Sequence, residues 1–269
     1  MKALLFAAGL GTRLKPWTDF HPKALAPVGG KPMLGRVIEK LKGYGIREFV
    51  VNVHHFADQI ADYLRQQDNF GTDIILSDES DMLLDTGGGL LYAGRLLGDS
   101  EHVLIHNADI LTDFDLGAMQ SQACASGAIA TLLVKERHTQ RYLAFDSAGL
   151  MRGWRNLATG QVRPDGADLD SCSLRAFGGV HIVSPEIFNL LARYNESLQS
   201  KEARRDTLDG VCKFSIIDFY IDNCHNNTFM AFEPSAPYNW IDIGKAENLE
   251  QANSRLNLQY TLRGETKAL

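Results

Sequence analysis

The chain has 269 residues, enough for a well-buried core, and its formal net charge of −6 excludes the basic footprint of a nucleic-acid binder. No stretch is apolar enough to span a bilayer, and the apolar run at the N-terminus ends at Gly9, too early for a signal peptide. The four cysteines (Cys124, Cys172, Cys212, Cys224) form no C-x-x-C pair and no zinc spacing, so the expectation is a cytoplasmic protein with reduced thiols, free of membrane and nucleic-acid partners.

Ala3 to Ala7 reads as a short apolar strand that opens into Ala8-Gly9-Leu10-Gly11-Thr12-Arg13. Closely spaced glycines let consecutive amides turn inward as an anion nest. Arg13 adds a planar fork suited to phosphate oxygens, and Lys23 a mobile point charge. Two familiar phosphate loops do not fit. The G-x-G-x-x-G pattern needs a third glycine where Leu14 stands, and an acid where Ala26 to Gly30 has none. The P-loop's closing Gly-Lys-Ser/Thr is absent.

Pro32 to Lys42 has helical spacing and is stopped by Gly43 and Gly45. Phe49 to Val53 is a buried strand, Asp58 to Leu64 a helix, and Asp73 to Ser77 a strand. This alternation implies a parallel sheet with right-handed crossovers. His54-His55, at a strand end, are either loop residues or ligands of a substrate, and imply no metal. Gly87-Gly88-Gly89 would weaken any helix or strand, so packing does not account for them and the next helix is read as Leu90 to Leu97. Three bare backbones would suit a flat ligand such as a nucleobase. His102 to His106 is a buried strand ending in Asn107-Ala108-Asp109. A carboxylate there would repel phosphate unless a divalent cation such as Mg²⁺ stood between them. Asp113 and Asp115 suggest the cap and first turn of a helix.

Ala128 to Val134 is another strand, and Tyr142 to Asp146 with Leu150 to Trp154 form a hairpin about Ser147-Ala148-Gly149. Gln161 to Asp170 reads as an exposed loop, Arg175 to Val183 as a strand and Pro185 to Arg193 as a helix. Asn195 to Gly210 is charged and aperiodic, the pattern of a mobile insertion or lid. Phe214 to Ile221 is helical, with Asp218 either near a sugar or capping locally. Thr228 to Phe232 is an edge strand. In Tyr238-Asn239-Trp240-Ile241-Asp242-Ile243-Gly244 an acid stands alone in an apolar run, a poor place for an unpaired charge; a helix N-cap is the plainer alternative. Ala246 to about Leu258 closes the chain as a helix, followed by a frayed tail. There are no internal repeats.

The N-terminal stretch, from Leu5 through Arg13 with Pro16, Thr18, Pro22-Lys23 and Pro27, resembles the signature of the sugar-1-phosphate nucleotidylyltransferases (NDP-sugar pyrophosphorylases). Thr86 to Gly89 resembles that family's base-contacting segment, Asp109 its first metal-binding aspartate, Gly178-Gly179 its F-x-G-I/V segment near the sugar, and Asp242 its second metal ligand. The resemblance implies an α/β fold: a Rossmann-like, mostly parallel mixed sheet flanked by helices, with a smaller sugar-binding part and no left-handed β-helix. It implies a single nucleotidyltransferase domain over 1–269, with a nucleotide part to about 135, a sugar part at about 136–245, and a closing helix and tail at 246–269.

The implied reaction is Mg²⁺-dependent, in-line attack of a sugar-1-phosphate on the α-phosphorus of an NTP, UTP or GTP above all, in a monomer or homodimer. Arg13 and Lys23 would be catalytic. Ala7, Ala8, Gly9, Gly11, Thr12, Thr86, Gly87, Gly88 and Asn107 would bind nucleotide with them. Gly178, Gly179 and Asp218 would bind the sugar, and Asp109 and Asp242, far apart in sequence, would meet across the cleft to hold Mg²⁺. Many members carry a second phosphate-binding lysine in a Glu-Lys-Pro segment; here Gly153-Trp154-Arg155-Asn156 stands in its place, and Arg155 either replaces that lysine or lies on the surface.

The branch most similar is that of N-acetylmuramate-1-phosphate uridylyltransferases and mannose-1-phosphate guanylyltransferases. Glucose-1-phosphate nucleotidylyltransferase and choline-phosphate cytidylyltransferase are alternatives within the class. A non-catalytic sugar-nucleotide-binding regulatory protein is the rival from another class. Such a protein would be expected to lose the metal acids Asp109 and Asp242 or the phosphate arginine Arg13; these and Lys23 are all present.

Overall fold

The computed structural model describes residues 1–98, 100–201 and 206–263. In its first half strands and helices alternate: β1 (Lys2–Phe6), α1 (Met33–Gly43), β2 (Glu48–Val53), α2 (Ala57–Gln66), β3 (Asp73–Asp78), α3 (Asp85–Leu97), β4 (Val103–Asn107), β5 (Ile110–Thr112) and α4 (Leu116–Ser126). β1 lies between β2 and β4, parallel to both, and β3 extends the row beyond β2. Side chains alternate across a strand. Ala3 and Leu5 therefore enter one buried cluster, with Val37, Ile38 and Ile60, while Leu4 enters another, with Leu90 and Ala93. Burial on both faces is why these strands read as continuous apolar runs.

The second half contains β6 (Ala130–Lys135), β7 (Arg141–Phe145), β8 (Met151–Asn156), β9 (Val162–Arg163), β10 (Ser173–Val183) and α5 (Glu186–Lys201). It ends with a short hairpin, β11 (Thr207–Leu208) and β12 (Val211–Cys212), then α6 (Ile216–Asn223), β13 (Phe229–Phe232), β14 (Trp240–Asp242) and α7 (Ala246–Arg263). Here the sheet becomes antiparallel. β10 pairs with β4, β6 and β7, and β7–β8–β9 continue outward, giving a mixed sheet of ten strands in all. β13 is an edge strand, parallel to β6.

Three sequence expectations are corrected. Gly87, Gly88 and Gly89 lie inside α3, and packing is their reason for being there. A Cβ on Gly88 would come within 2.4 Å of the Cys212 carbonyl, and one on Gly87 within 2.4 Å of the Phe214 ring. The segment that docks there is more than a hundred residues away in sequence. Second, α5 runs to Lys201, and β11 follows within the stretch read as a mobile insertion, pairing with β12 just beyond it; Glu202–Arg205 lie outside the described residues. Third, the Gln161–Asp170 loop contributes β9 and buries Leu169. Of the two acids before α4, Asp115 is the cap, accepting from the Ala118 amide at 3.2 Å. Asp113 instead accepts from the amide and side chain of Asn239. The tail beyond Arg263 lies outside the described residues.

Candidate active site

The register places the site. Phe6 pairs with Asn52 on one side and Asn107 on the other, so the loops leaving β1 and β4 emerge together at the carboxyl edge of the sheet. This is where open α/β sheets bind ligands. A solvent-open cleft of about 430 Å³ lies there, lined by the chain from Phe6 to Arg13 and by Lys23, Thr86, Asn107 and Asp109.

The glycine loop has a tight geometry. Gly11 has φ +63°, and a Cβ there would come within 2.8 Å of Thr18 and 2.9 Å of Lys23, so glycine is required on both counts. Its carbonyl accepts from the Thr18 hydroxyl and the Leu14 amide. The position of a Gly9 Cβ, by contrast, is open.

Opposite the loop, β14 pairs with β5 so that Asp242 faces Ile110 in register. The Ile243 amide donates to the Asp109 carbonyl at 3.0 Å. The backbone around the two distant aspartates is thereby brought together. Lys23 donates to Asp109 from a side chain only 11% exposed. Arg13 lies 3.9 Å from Asp242. All of this converges on Gly244. A Cβ built on it would be 2.7 Å from each of Arg13 Nη2, Lys23 Nζ and Asp242 Oδ1, so no two of these atoms are further apart than twice that distance.

Beneath the loop lies a network that the sequence did not reveal. Asn52 Oδ1 accepts from the amides of Ala7 (2.7 Å) and Ala8 (3.3 Å). Its Nδ2 donates to Glu79, whose second oxygen accepts from the Leu84 amide. Glu79 is fully buried. Burial pushes its carboxyl above the usual range, against the opposing pull of the Asn52 and Leu84 donors. The amides of Ala7 and Ala8 thus face a buried asparagine, although both residues also line the cleft. His54 supports the same network, its ring nitrogen donating to the Glu79 carbonyl.

Thr86 lines the cleft, while its hydroxyl accepts from the Ile216 amide. The Gly87 and Gly88 amides both donate to the Phe214 carbonyl. Gly178 and Gly179 occupy a bulge in β10, where Gly179 packs on Asn107 and Gly178 accepts from the Trp240 indole. Asp218 lies outside the main cleft, paired with Arg163 at 2.6 Å. Arg155 is also outside it, paired with Asp170 at 2.8 Å. Lys213, a residue the sequence reading passed over, lines the cleft. Its place depends on how the segment after β12 docks against α3, which no local pattern reveals.

Among the described residues no three His, Cys, Asp or Glu side chains cluster as a metal site, and no helix is long and apolar enough to cross a membrane. Two carboxylates beside the glycine loop nevertheless form a donor set that suits Mg²⁺, which takes one or two carboxylates and completes its shell with phosphate oxygens and water.

A cleft of this kind, with a glycine loop, paired cations and two carboxylates at the carboxyl edge of a mixed α/β sheet, is that of a nucleotide-phosphate enzyme. The nucleotidyl transferase family model matches residues 2–259, and the chain belongs to that family, within its sugar-1-phosphate nucleotidyltransferases. It is 34% identical over 191 residues to the N-acetylmuramate alpha-1-phosphate uridylyltransferase of Caulobacter vibrioides, covering 69% of this chain and 76% of that protein. It is 30% identical over 264 residues to the UTP–glucose-1-phosphate uridylyltransferase of Synechocystis, covering 94% of this chain but only 62% of that longer protein. The structure of HddC from Yersinia pseudotuberculosis complexed with GMP-PN has the same fold, with a TM-score of 0.70, 20% identity, and coverage of 95% of this chain and 99% of that one.

Proposed function

We propose that the chain transfers a uridylyl group from UTP to N-acetylmuramate α-1-phosphate. A phosphate oxygen of the acceptor bonds to the α-phosphorus, the bond to the bridging oxygen breaks, and pyrophosphate leaves. The observation that carries this reading is the convergence of Arg13, Lys23 and Asp242 at Gly244, with Asp109 held to Lys23. The choice of uridine and of the acceptor rests on the Caulobacter relative.

Catalysis is positioning and charge stabilisation, with no covalent enzyme intermediate. The loop from Gly9 to Thr12 and Arg13 hold the departing phosphates. Lys23, almost fully enclosed, stands at the α-phosphate. Lys213 takes the acceptor phosphate, the part for which Arg155, held by Asp170, is badly placed. Asp109 and Asp242 would hold Mg²⁺, which when bound neutralises charge on the phosphates. UTP supply puts the reaction in the cytoplasm.

An acceptor whose sugar is neutral, such as glucose-1-phosphate, is the second reading, favoured by the long span of the Synechocystis match. Pyrophosphate release, measured with UTP, GTP, CTP and dTTP against a panel of sugar-1-phosphates, tests both. Turnover confined to UTP and N-acetylmuramate 1-phosphate is the expected result; preference for another base or for a neutral sugar would overturn it.

A further inference from the structure

A second cavity, of about 500 Å³, opens on the far side of the 213–217 segment. Its floor is the β7–β8–β9 sheet. Residues directly opposite in a ladder point to the same face. The pairs Arg141–Asn156, Leu143–Trp154 and Trp154–Arg163 therefore bring guanidinium, amide and apolar groups to one surface. α6 forms the wall, with Asp218 facing in.

Three arginines line this cavity, and they are not equivalent. Arg163 is already held by Asp218 at 2.6 Å and Asp222 at 3.0 Å. Among the described residues, Arg137 and Arg141 have no carboxylate partner. Arg137 sits 4.9 Å over the ring of Trp240, and Lys135 sits 5.1 Å over the same ring. This rim is positive in a chain whose net charge is −6.

The cavity is tied to the reacting centre on two sides. Trp240 is two residues from Asp242 on β14 and donates to Gly178. Phe177 lines the cavity, while Gly179, two residues on, packs against Asn107 of the main cleft. Lys213 lines the main cleft and Ser215 and Ile217 line the cavity, so one short segment borders both.

We propose that Arg137 and Arg141 bind an anionic substituent of the acceptor, a carboxylate carried on the sugar away from its phosphate. The assignment rests on the reaction proposed above and names the part of the acceptor that this chain selects. A guanidinium fork matches a carboxylate in two parallel hydrogen bonds. A neutral hexose offers these two arginines no such partner. Trp154 and Leu143 suit the apolar parts of an acylated sugar, and Asn156 suits its amide.

The test compares N-acetylmuramate 1-phosphate with N-acetylglucosamine 1-phosphate, which differ only in the carboxylated ether. In Arg137→Gln, Arg141→Gln and the double variant, the KM for the carboxylated sugar should rise about 10–100-fold, the loss of a hydrogen bond to a charged group, with kcat falling much less. The KM for UTP should stay within about twofold, and the preference between the two sugars should collapse. Arg155→Gln serves as the control. Variants that keep wild-type KM for the carboxylated sugar, or that weaken both sugars equally, would overturn the assignment.

Binding of free N-acetylmuramate and N-acetylglucosamine, followed by NMR titration, separates this assignment from the reaction. Carboxylate-dependent binding lost in the double variant, with no pyrophosphate from any pair, would sink the reaction and leave the cavity assigned. Turnover with no preference for the carboxylated sugar would sink the assignment and leave nucleotidyl transfer standing.

Discussion

The Ile243 amide donates to the Asp109 carbonyl at 3.0 Å, and this bond joins two strands that lie more than a hundred residues apart in sequence. A carboxylate stands on each side of this junction, Asp109 just before β5 and Asp242 at the end of β14, and each faces a cation from the glycine-loop region: Asp109 faces Lys23, and Asp242 faces Arg13. Gly244 follows at once and leaves room for all of them. Gly244→Ala would place a methyl 2.7 Å from three charged side-chain ends. These ends are flexible, so the thermal midpoint should move by no more than a degree or two. Turnover should fall about 10²-fold, because in the proposed reaction the displaced charges are those that meet the phosphates. Melting curves alongside pyrophosphate release check both halves.

Gly88→Ala should behave in the opposite way. Its Cβ would meet the backbone carbonyl of Cys212 at 2.4 Å, a group that cannot swing aside as a side-chain end can. Overpacking of this kind costs about 1–3 kcal/mol, read as a lower denaturant midpoint. Gly9→Ala meets nothing within 4 Å and should leave the midpoint unchanged while lowering activity at the phosphate loop. A Gly88→Ala protein as stable as wild type would remove the packing role of the three glycines.

Glu79 makes stability depend on pH. Burial raises its carboxyl above its value in the unfolded chain. A group raised in this way favours the folded state fully below its unfolded pKa, and that contribution is lost as pH rises through the folded value. Glu79→Gln has no charge to bury, so the melting temperature of wild type relative to the variant should fall as pH rises above the usual carboxylate range. A difference that stays flat with pH would mean that Glu79 titrates alike in the folded and unfolded chain, with no upward shift from burial.

Lys213→Ala and Arg155→Ala form a pair. Lys213 lines the cleft, and Arg155 is bound to Asp170 outside it. The first should raise the KM for the sugar-1-phosphate about tenfold, the usual worth of a hydrogen bond to a charged group. The second should leave it within about twofold. The reverse order would return the second phosphate cation to Arg155.

The phosphate loop and the two aspartates were legible in the sequence because each is a short contiguous pattern whose chemistry is local. β1, β2 and β4 were legible for a similar reason, since burial on both faces leaves an unbroken apolar run. The triple glycine was misread because its explanation is the carbonyls of Cys212 and Phe214, brought there only by tertiary docking. Asn52 and Glu79 look like ordinary strand-end polar residues. Only the parallel register of β1, β2 and β3 turns them into the support beneath Ala7 and Ala8. Arg137, Arg141 and Lys213 were overlooked because charged residues near strand and hairpin ends carry no signal of the cavity they face.

The most direct measurement is pyrophosphate release from UTP and N-acetylmuramate 1-phosphate with Mg²⁺, for wild type, Asp109→Asn and Asp242→Asn. The expected result is turnover by wild type and a loss of about 10²-fold or more in each variant, as when charge stabilisation of the transition state is removed. UTP binding should persist in all three. Turnover undiminished in either variant would contradict the pairing of the two carboxylates at the centre of the site.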